Sequence, residues 1–219
     1  PKLHDKLKES GFDKKEPISK QLYDIYGLYP APGDRHVGEF FPYYMKEEVL
    51  MEQDYEWKNN DFKVVDGWRE EARVLFDEVR TKKEGYEEFL KGSGETATYF
   101  IRSLATGDIS DEMVNVINNG YIDNVSSGII VELPTYIDEF GLHPQKIGKL
   151  PDAIAAQCDR LGREYLLMVE AAATCNYELA RQAMFLDPLV SNCKYPELLL
   201  KDLIRANLDL LPEAWEKHC

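Results

Sequence analysis

The chain is 219 residues long, which suits one large domain, or one domain with an appended lobe, able to bury a core. Its 44% hydrophobic content, with 13 Tyr, 9 Phe and 3 Trp, excludes a disordered tail. A net charge of −14 repels phosphate backbones and anionic lipid, setting aside nucleic acid and membranes as partners, and no apolar run approaches the ~20 residues that span a bilayer.

Residues 1–10 read as a short charged helix. Glu16 to Tyr26 predict a helix with Ile18, Leu22 and Ile25 on one face and Gly27 as its stop. Residues 30–42 then hold three prolines, two glycines and four ionisable side chains. Proline fixes φ and disfavours helix, so the expectation is a stiff loop displaying Asp34, Arg35 and His36. Residues 45–62 are acidic and weakly periodic. From Phe62 to about Leu90 a helical repeat places Val64, Val65, Trp68, Ala72, Leu75, Phe76 and Val79 together. Gly92-Ser93-Gly94 breaks it, and Glu95 to Thr106 predict another helix, closed by Gly107.

Extended patterns follow. Met113 to Ile117 read as a strand, Asn118-Asn119-Gly120 as a turn, and Tyr121-Ile122 as a return to extended chain. Ile129 to Leu133 form a second strand closed by Pro134, and Leu142 to Ile147 a third. From Pro151 the chain turns helical. One long helix carries Ile154, Leu161, Tyr165, Leu166, Val169 and Ala172; a shorter one runs from Leu179 to Leu186 and ends at Asp187-Pro188. The last spans Pro196 to Leu211, with Leu199, Leu203 and Ile204 inward. The fold class expected is α+β, mostly helical, with a small central antiparallel or mixed sheet. There is no internal repeat or linker tract.

Cys158, Cys175, Cys193 and Cys219 match no zinc spacing; reduced thiols in a cytoplasmic protein are expected. No signal peptide is visible, and the chain opens at Pro1 within helical, charged sequence, which predicts a piece of a longer protein. Gly92-Ser93-Gly94 lacks the strand and third glycine of a dinucleotide loop. His4, His36, His143 and His218 have no partner at metal-ligand spacing. Asp34-Arg35-His36 offers a carboxylate for proton transfer beside two groups able to hold an anion. From the residues alone a solvated or structural loop is the commoner reading and stays open. Glu39 reads either as a second carboxylate or as an ion-pair partner of Arg35. Phe40, Phe41, Tyr43 and Tyr44 read as core or subunit interface more readily than as a sugar platform.

Tyr26 to Pro42, reading YGLYPAPGDRHVGEFFP, resembles a segment of glycoside hydrolase family 4. It is most similar to the α-galacturonidase and α-glucuronidase branch, and more loosely to the α-galactosidases and α-glucosidases. Asn115 to Pro134, Gly141 to Pro151 and Met184 to Leu189 continue the resemblance in order, with Val125-Ser126 standing where Leu-Pro is usual. The resemblance covers roughly residues 20–215. Family members are about twice as long and begin with a Rossmann half that carries NAD and the Cys and His that hold manganese.

The resemblance therefore implies that residues 1–219 are a C-terminal substrate-binding and oligomerisation domain, built like the C-terminal domain of lactate dehydrogenases. Its partners are the N-terminal half, an α-linked sugar or uronide, and further copies in a homodimer or homotetramer. The implied chemistry is oxidation at carbon 3 of the sugar by NAD, proton abstraction at carbon 2 with Mn2+ as Lewis acid, elimination of the aglycone, addition of water and return of the hydride. The base position maps onto Asp34; Arg35 and His36 map onto substrate contacts, and Asn119 lies in a turn near the substrate pocket. No cofactor-binding or metal-binding residue is expected in this chain. Alternatives are a structural or oligomerisation domain without activity of its own, and a bare sugar-binding domain.

Overall fold

The computed structural model describes residues 16–44, 62–82, 87 and 96–218. The helix expected over 1–10, the acidic stretch 45–61, the break at Gly92-Ser93-Gly94 and Cys219 lie outside the described residues. The chain divides into two compact units. One contains 16–44, 113–134 and 144–218; the other contains 62–82, 96–112 and 135–143.

In the first unit, α1 (Pro17–Tyr26) opens on a proline, tolerated in a first turn where no intrahelical donor is required. It closes at Gly27, whose φ of 71° needs the left-handed region. Ile18, Ser19 and Leu22 are buried, whereas Ile25 turns outward. α2 (Asp34–Glu39) corrects the expectation of a helix-free loop. Proline restricts itself and the residue before it. Pro30 and Pro32 precede this segment and Pro42 follows it, so a short helix fits between them. Val37 on α2 and Tyr44 beyond it are buried, and α1 packs on α2. Tyr44 donates from its hydroxyl to Gln21 Oε1 at 2.7 Å and meets Phe41 and Tyr43 edge-on. The aromatic set is thus partly core.

Three antiparallel strands, β1 (Ser110–Ile117), β2 (Ile130–Asp138) and β3 (Gly141–Pro144), pair in the order β1-β2-β3. The expected fold class holds. Two details differ. β2 passes through Pro134, which has no N–H to give but whose carbonyl accepts from Gln145 N at 2.9 Å; β3 starts one residue earlier than expected, at Gly141, and ends three residues earlier, at Pro144. Between β1 and β2 there is no tight hairpin. Residues 118–129 form an irregular loop in which Ile122 makes a single parallel bridge to Gly148.

Fully buried Asn118 holds that loop. Its Nδ2 donates to the carbonyls of Ile122, Val125 and Ser126 at 3.1, 2.8 and 3.2 Å, and its Oδ1 accepts from Ile122 N at 3.0 Å. The loop can then send Ile122, Val125 and Ile129 into a core with Leu133 and Ala155, against which Cys158 packs.

α5 (Asp152–Thr174) covers this core. Its buried positions are Ala155, Glu164 and Ala171, while Tyr165, Leu166 and Val169, which mark the helix in the sequence, are exposed. At Gly162 a Cβ would lie 2.5 Å from Ile129 Cδ1 and 2.8 Å from its Cβ, so only glycine fits there. α6 (Tyr177–Leu186) starts at Asn176, whose side chain accepts from the N–H groups of Glu178 and Leu179. α7 (Pro196–Ala206) buries Ile204 as expected, with Leu200 in place of the expected Leu199 and Leu203. A 3-10 turn over Glu213–His218 adds buried Trp215 to that cluster. Cys158, Cys175 and Cys193 are free thiols, and burial raises the pKa of Cys158.

In the second unit, α3 (Phe62–Lys82) leaves Trp68 and Phe76 64% and 60% exposed, so the face expected to be inward is open. α4 (Ala97–Thr106) ends at Gly107 with φ 76°. Ser103 is buried and donates to Ser110 Oγ at 2.8 Å. Among the described residues no helix is long and apolar enough to cross a membrane.

Candidate functional site

The segment with the strongest chemical signal lies at the facing starts of α1 and α2. The first N–H groups of a helix have no intrahelical acceptor. Asp34 supplies two: its Oδ2 accepts from Ile18 N at 2.8 Å and its Oδ1 from Ser19 N at 2.7 Å. Glu16 returns the arrangement, its Oε2 accepting from Asp34 N at 2.6 Å. Each helix is thus capped by the acid that begins the other. The two carboxylates also lie at the positive ends of the helix dipoles.

The clasp fixes the plane of the Asp34 carboxylate. Two backbone donors occupy one position on each oxygen, and a carboxylate offers about four, so each oxygen keeps one free. Ser19 lies fully buried under this clasp with its Oγ unpartnered. His36, on the next turn of α2, is exposed and places Nδ1 3.5 Å from Glu39 Oε2. Glu39 therefore pairs with His36, a partner that the sequence reading did not name. The side chain of Arg35 lies outside the described residues. Asn119 is exposed in the β1–β2 loop. Among the described residues no hydrogen bond or ion pair joins Asn119 to Asp34 or His36, so the structure groups Asp34 with His36 and leaves Asn119 apart.

Three residues to which the sequence reading gave no holding role organise this region. Glu16 is the reciprocal cap; an acid just before Pro17 at a helix start is the signal that could have found it. Asn118, next to the residue named from sequence, organises the loop that carries Asn119. Arg160 on α5 donates from Nη2 to Phe40 O at 2.9 Å and from Nη1 to Leu186 O at 2.9 Å, tying the end of α2 to α5 and α6. Contacts this distant in sequence leave no local mark.

Along α5, Asp159 accepts from Ser126 N at 2.7 Å and from Arg163 Nε at 2.7 Å, and Arg163 also donates to Ser126 Oγ. The hydrogen bond from Ser126, followed by that from Arg163, holds the Asp159 carboxyl at a pKa of about 2. This network fastens the 118–129 loop to α5.

Comparison with known proteins places the geometry in context. The family model described as "Family 4 glycosyl hydrolase C-terminal domain" matches residues 1–190. An α-galacturonidase of Thermoanaerobacterium saccharolyticum is 31% identical over 213 residues, covering 94% of this chain and 44% of that protein. An α-galactosidase of Rhizobium meliloti is 28% identical over 212 residues, covering 92% of this chain and 43% of that protein. The chain thus spans less than half the length of either relative. Among solved structures, a Bacillus subtilis protein described as a glucosidase superposes with a TM-score of 0.74 at 28% identity, covering 85% of this chain and 42% of that one. A 6-phospho-β-glucosidase of Thermotoga maritima, solved with manganese, NAD+ and glucose-6-phosphate, superposes with a TM-score of 0.55 at 28% identity, covering 64% and 34%.

Proposed function

This chain belongs to the family 4 glycosyl hydrolases, as their C-terminal domain, and from that premise we propose that it is the substrate-side half of an NAD- and Mn2+-dependent α-glycosidase acting on a uronide. The observation that carries this reading is the match along 94% of the chain to a protein named α-galacturonidase, of which it covers 44%. In this reading residues 1–219 bind substrate and join a preceding half that carries the cofactors.

When bound, the dinucleotide and the metal supply the redox step at carbon 3 and the polarisation of the ketone formed there. Among the described residues no three His, Cys, Asp or Glu side chains come together to hold a metal. Asp34 takes the proton from carbon 2. Its carboxylate is held in place by Ile18 N and Ser19 N before substrate arrives, and it keeps free lone pairs for the incoming proton. Arg35 reads the uronate carboxylate through paired guanidinium bonds. His36, exposed beside Glu39, donates to the same sugar, and Asn119 lines the pocket from its loop.

The test uses this chain assembled with the preceding half, NAD, Mn2+ and an aryl α-galacturonide. Asp34→Asn keeps one acceptor for α1 and cannot take the proton. Turnover and solvent-deuterium entry at carbon 2 are expected to fall by at least about 10²-fold with the unfolding temperature lowered by only a few degrees. A turnover loss that merely tracks unfolding would leave Asp34 a cap. Arg35→Ala is expected to raise KM for the uronide more than for the neutral galactoside; unchanged selectivity refutes its assignment.

A second reading, an assembly module, is favoured by one observation: α5 leaves Tyr165, Leu166, Met168 and Val169 exposed on neighbouring turns. A strict monomer at high concentration in a size measurement counts against it.

A further inference from the structure

α5, α6, α7 and the turn over Glu213–His218 line a surface-open cavity of about 250 Å³, apart from the Asp34 clasp. Its walls are largely methyl and thioether groups from Met168, Ala171, Ala180, Ala183, Met184 and Leu200. Two polar residues share that lining. Glu164 and Trp215 line the cavity, are only 3% and 5% exposed, and leave Glu164 Oε2 and Trp215 Nε1 without a hydrogen-bond partner.

A buried polar atom without a partner destabilises the fold it sits in, so such atoms are rare in native interiors. Here an unpartnered acceptor and an unpartnered donor both belong to residues that line one cavity. That cavity is larger than the ~150 Å³ apolar hole that admits benzene. The cavity therefore has room for a small ring or a short chain, together with one unused donor and one unused acceptor.

Charge narrows the chemistry. Burial, then the neighbouring charge of Asp187, push the Glu164 carboxyl up to about 7, against the opposing pull of Arg160. Asp187 also lines the cavity. The Arg160 guanidinium is occupied with Leu186 O, Phe40 O and Gln157 Oε1, so it does not turn the cavity into an anion site. An anionic ligand would meet Asp187 and a Glu164 that already resists ionisation.

We propose that this cavity is a binding site for a small uncharged alcohol or phenol, with its apolar body among the methionines and alanines and its hydroxyl supplying the acceptor that Trp215 Nε1 lacks and the donor that Glu164 Oε2 lacks.

The experiment titrates the chain with phenol, toluene and benzoate, following the indole N–H resonances by NMR. The Trp215 signal is identified by its loss in Trp215→Phe. Phenol is expected to shift it saturably at concentrations up to about 10 mM, with toluene and benzoate each at least about tenfold weaker. Glu164→Leu is expected to remove the preference for phenol over toluene. No saturable shift with phenol overturns the site. Toluene binding as well as phenol overturns the role of the two polar atoms, and benzoate binding as well overturns the neutral ligand. If Glu164→Leu does not fold, the ranking of the three probes on the unaltered chain decides alone.

Discussion

The α1–α2 clasp and the α5–α6–α7 cavity each contain an acid at a helix, and they treat it in opposite ways. Asp34 is half-buried, and both its oxygens accept from backbone N–H groups. Glu164 is almost wholly buried, and one oxygen accepts from nothing. A fully partnered carboxylate is first of all a structural group and reaches chemistry only through its spare lone pairs. An unpartnered one stores a cost that a ligand can relieve. The conspicuous run Gly33-Asp34-Arg35-His36 thus carries more of the fold than its composition suggests, and the inconspicuous Glu164 carries less.

Breaking the clasp is expected to give the largest effect. Asp34→Ala removes the acceptor for two α1 donors, while the backbone N–H from which Glu16 accepts remains. Stability in urea is expected to fall by about 2–4 kcal/mol, from two charge-assisted hydrogen bonds lost at once. A loss below about 0.5 kcal/mol would show that water replaces the carboxylate freely and that the clasp is ornamental.

The cavity acid makes the opposite prediction, one of pH. Its folded-state pKa is raised from 4.5 to about 7, so its contribution is fully present below 4.5 and is lost as pH rises through 7. The unaltered chain is expected to lose roughly 2–3 kcal/mol of stability between those values relative to Glu164→Gln, which has no carboxyl to ionise. Comparing the two proteins cancels the histidines that titrate in the same window. Parallel stability curves for the two proteins contradict the burial of an unpartnered acid.

A third substitution compares the two faces of α5. Gly162 abuts Ile129 with no slack, whereas Ala171 borders the cavity. Gly162→Ala gains helix propensity of about 1 kcal/mol but drives a methyl into Ile129. The net expectation is a loss of about 1–3 kcal/mol in thermal or urea unfolding. A gain in stability would show that α5 can lift from the core.

How much of this was legible in sequence depended on the range of the forces involved. The ends of α1 and α4 were readable because Gly27 and Gly107 stop a helix by their own backbone freedom. The small sheet was readable from its β-branched runs, although β2 continues through Pro134 because proline withholds only its own donor. The short helix at 34–39 is not legible there, because the surrounding prolines signal a loop although each restricts only itself and the residue before it. On α5 both faces are apolar, so periodicity could not say that Ala155 and Ala171 face inward while Leu166 and Val169 face out. Asp34 and His36 were visible as a motif, yet the partner that shapes Asp34, Glu16, lies 18 residues away. Glu164, between Arg163 and Tyr165, reads as a solvated position. Only α6, α7 and Trp215, brought back from later in the chain, bury it.

The smallest expected effect comes from filling the cavity. Ala180 lines it and belongs to α6, where leucine is as good a helix former as alanine to within a few tenths of a kcal/mol. A leucine there adds three methyl or methylene carbons to a space of about 250 Å³ that lacks atoms to fill it. Ala180→Leu should therefore leave stability within about 1 kcal/mol, on the favourable side if the side chain finds a relaxed rotamer. The same substitution removes volume from the proposed ligand, so phenol should no longer shift the Trp215 indole signal. The clasp differs, because both Asp34 oxygens there already accept from backbone N–H groups. If Ala180→Leu unfolds the chain, the cavity is closed in solution, and the contrast between a satisfied acid and an unsatisfied one collapses into two differently packed helix ends.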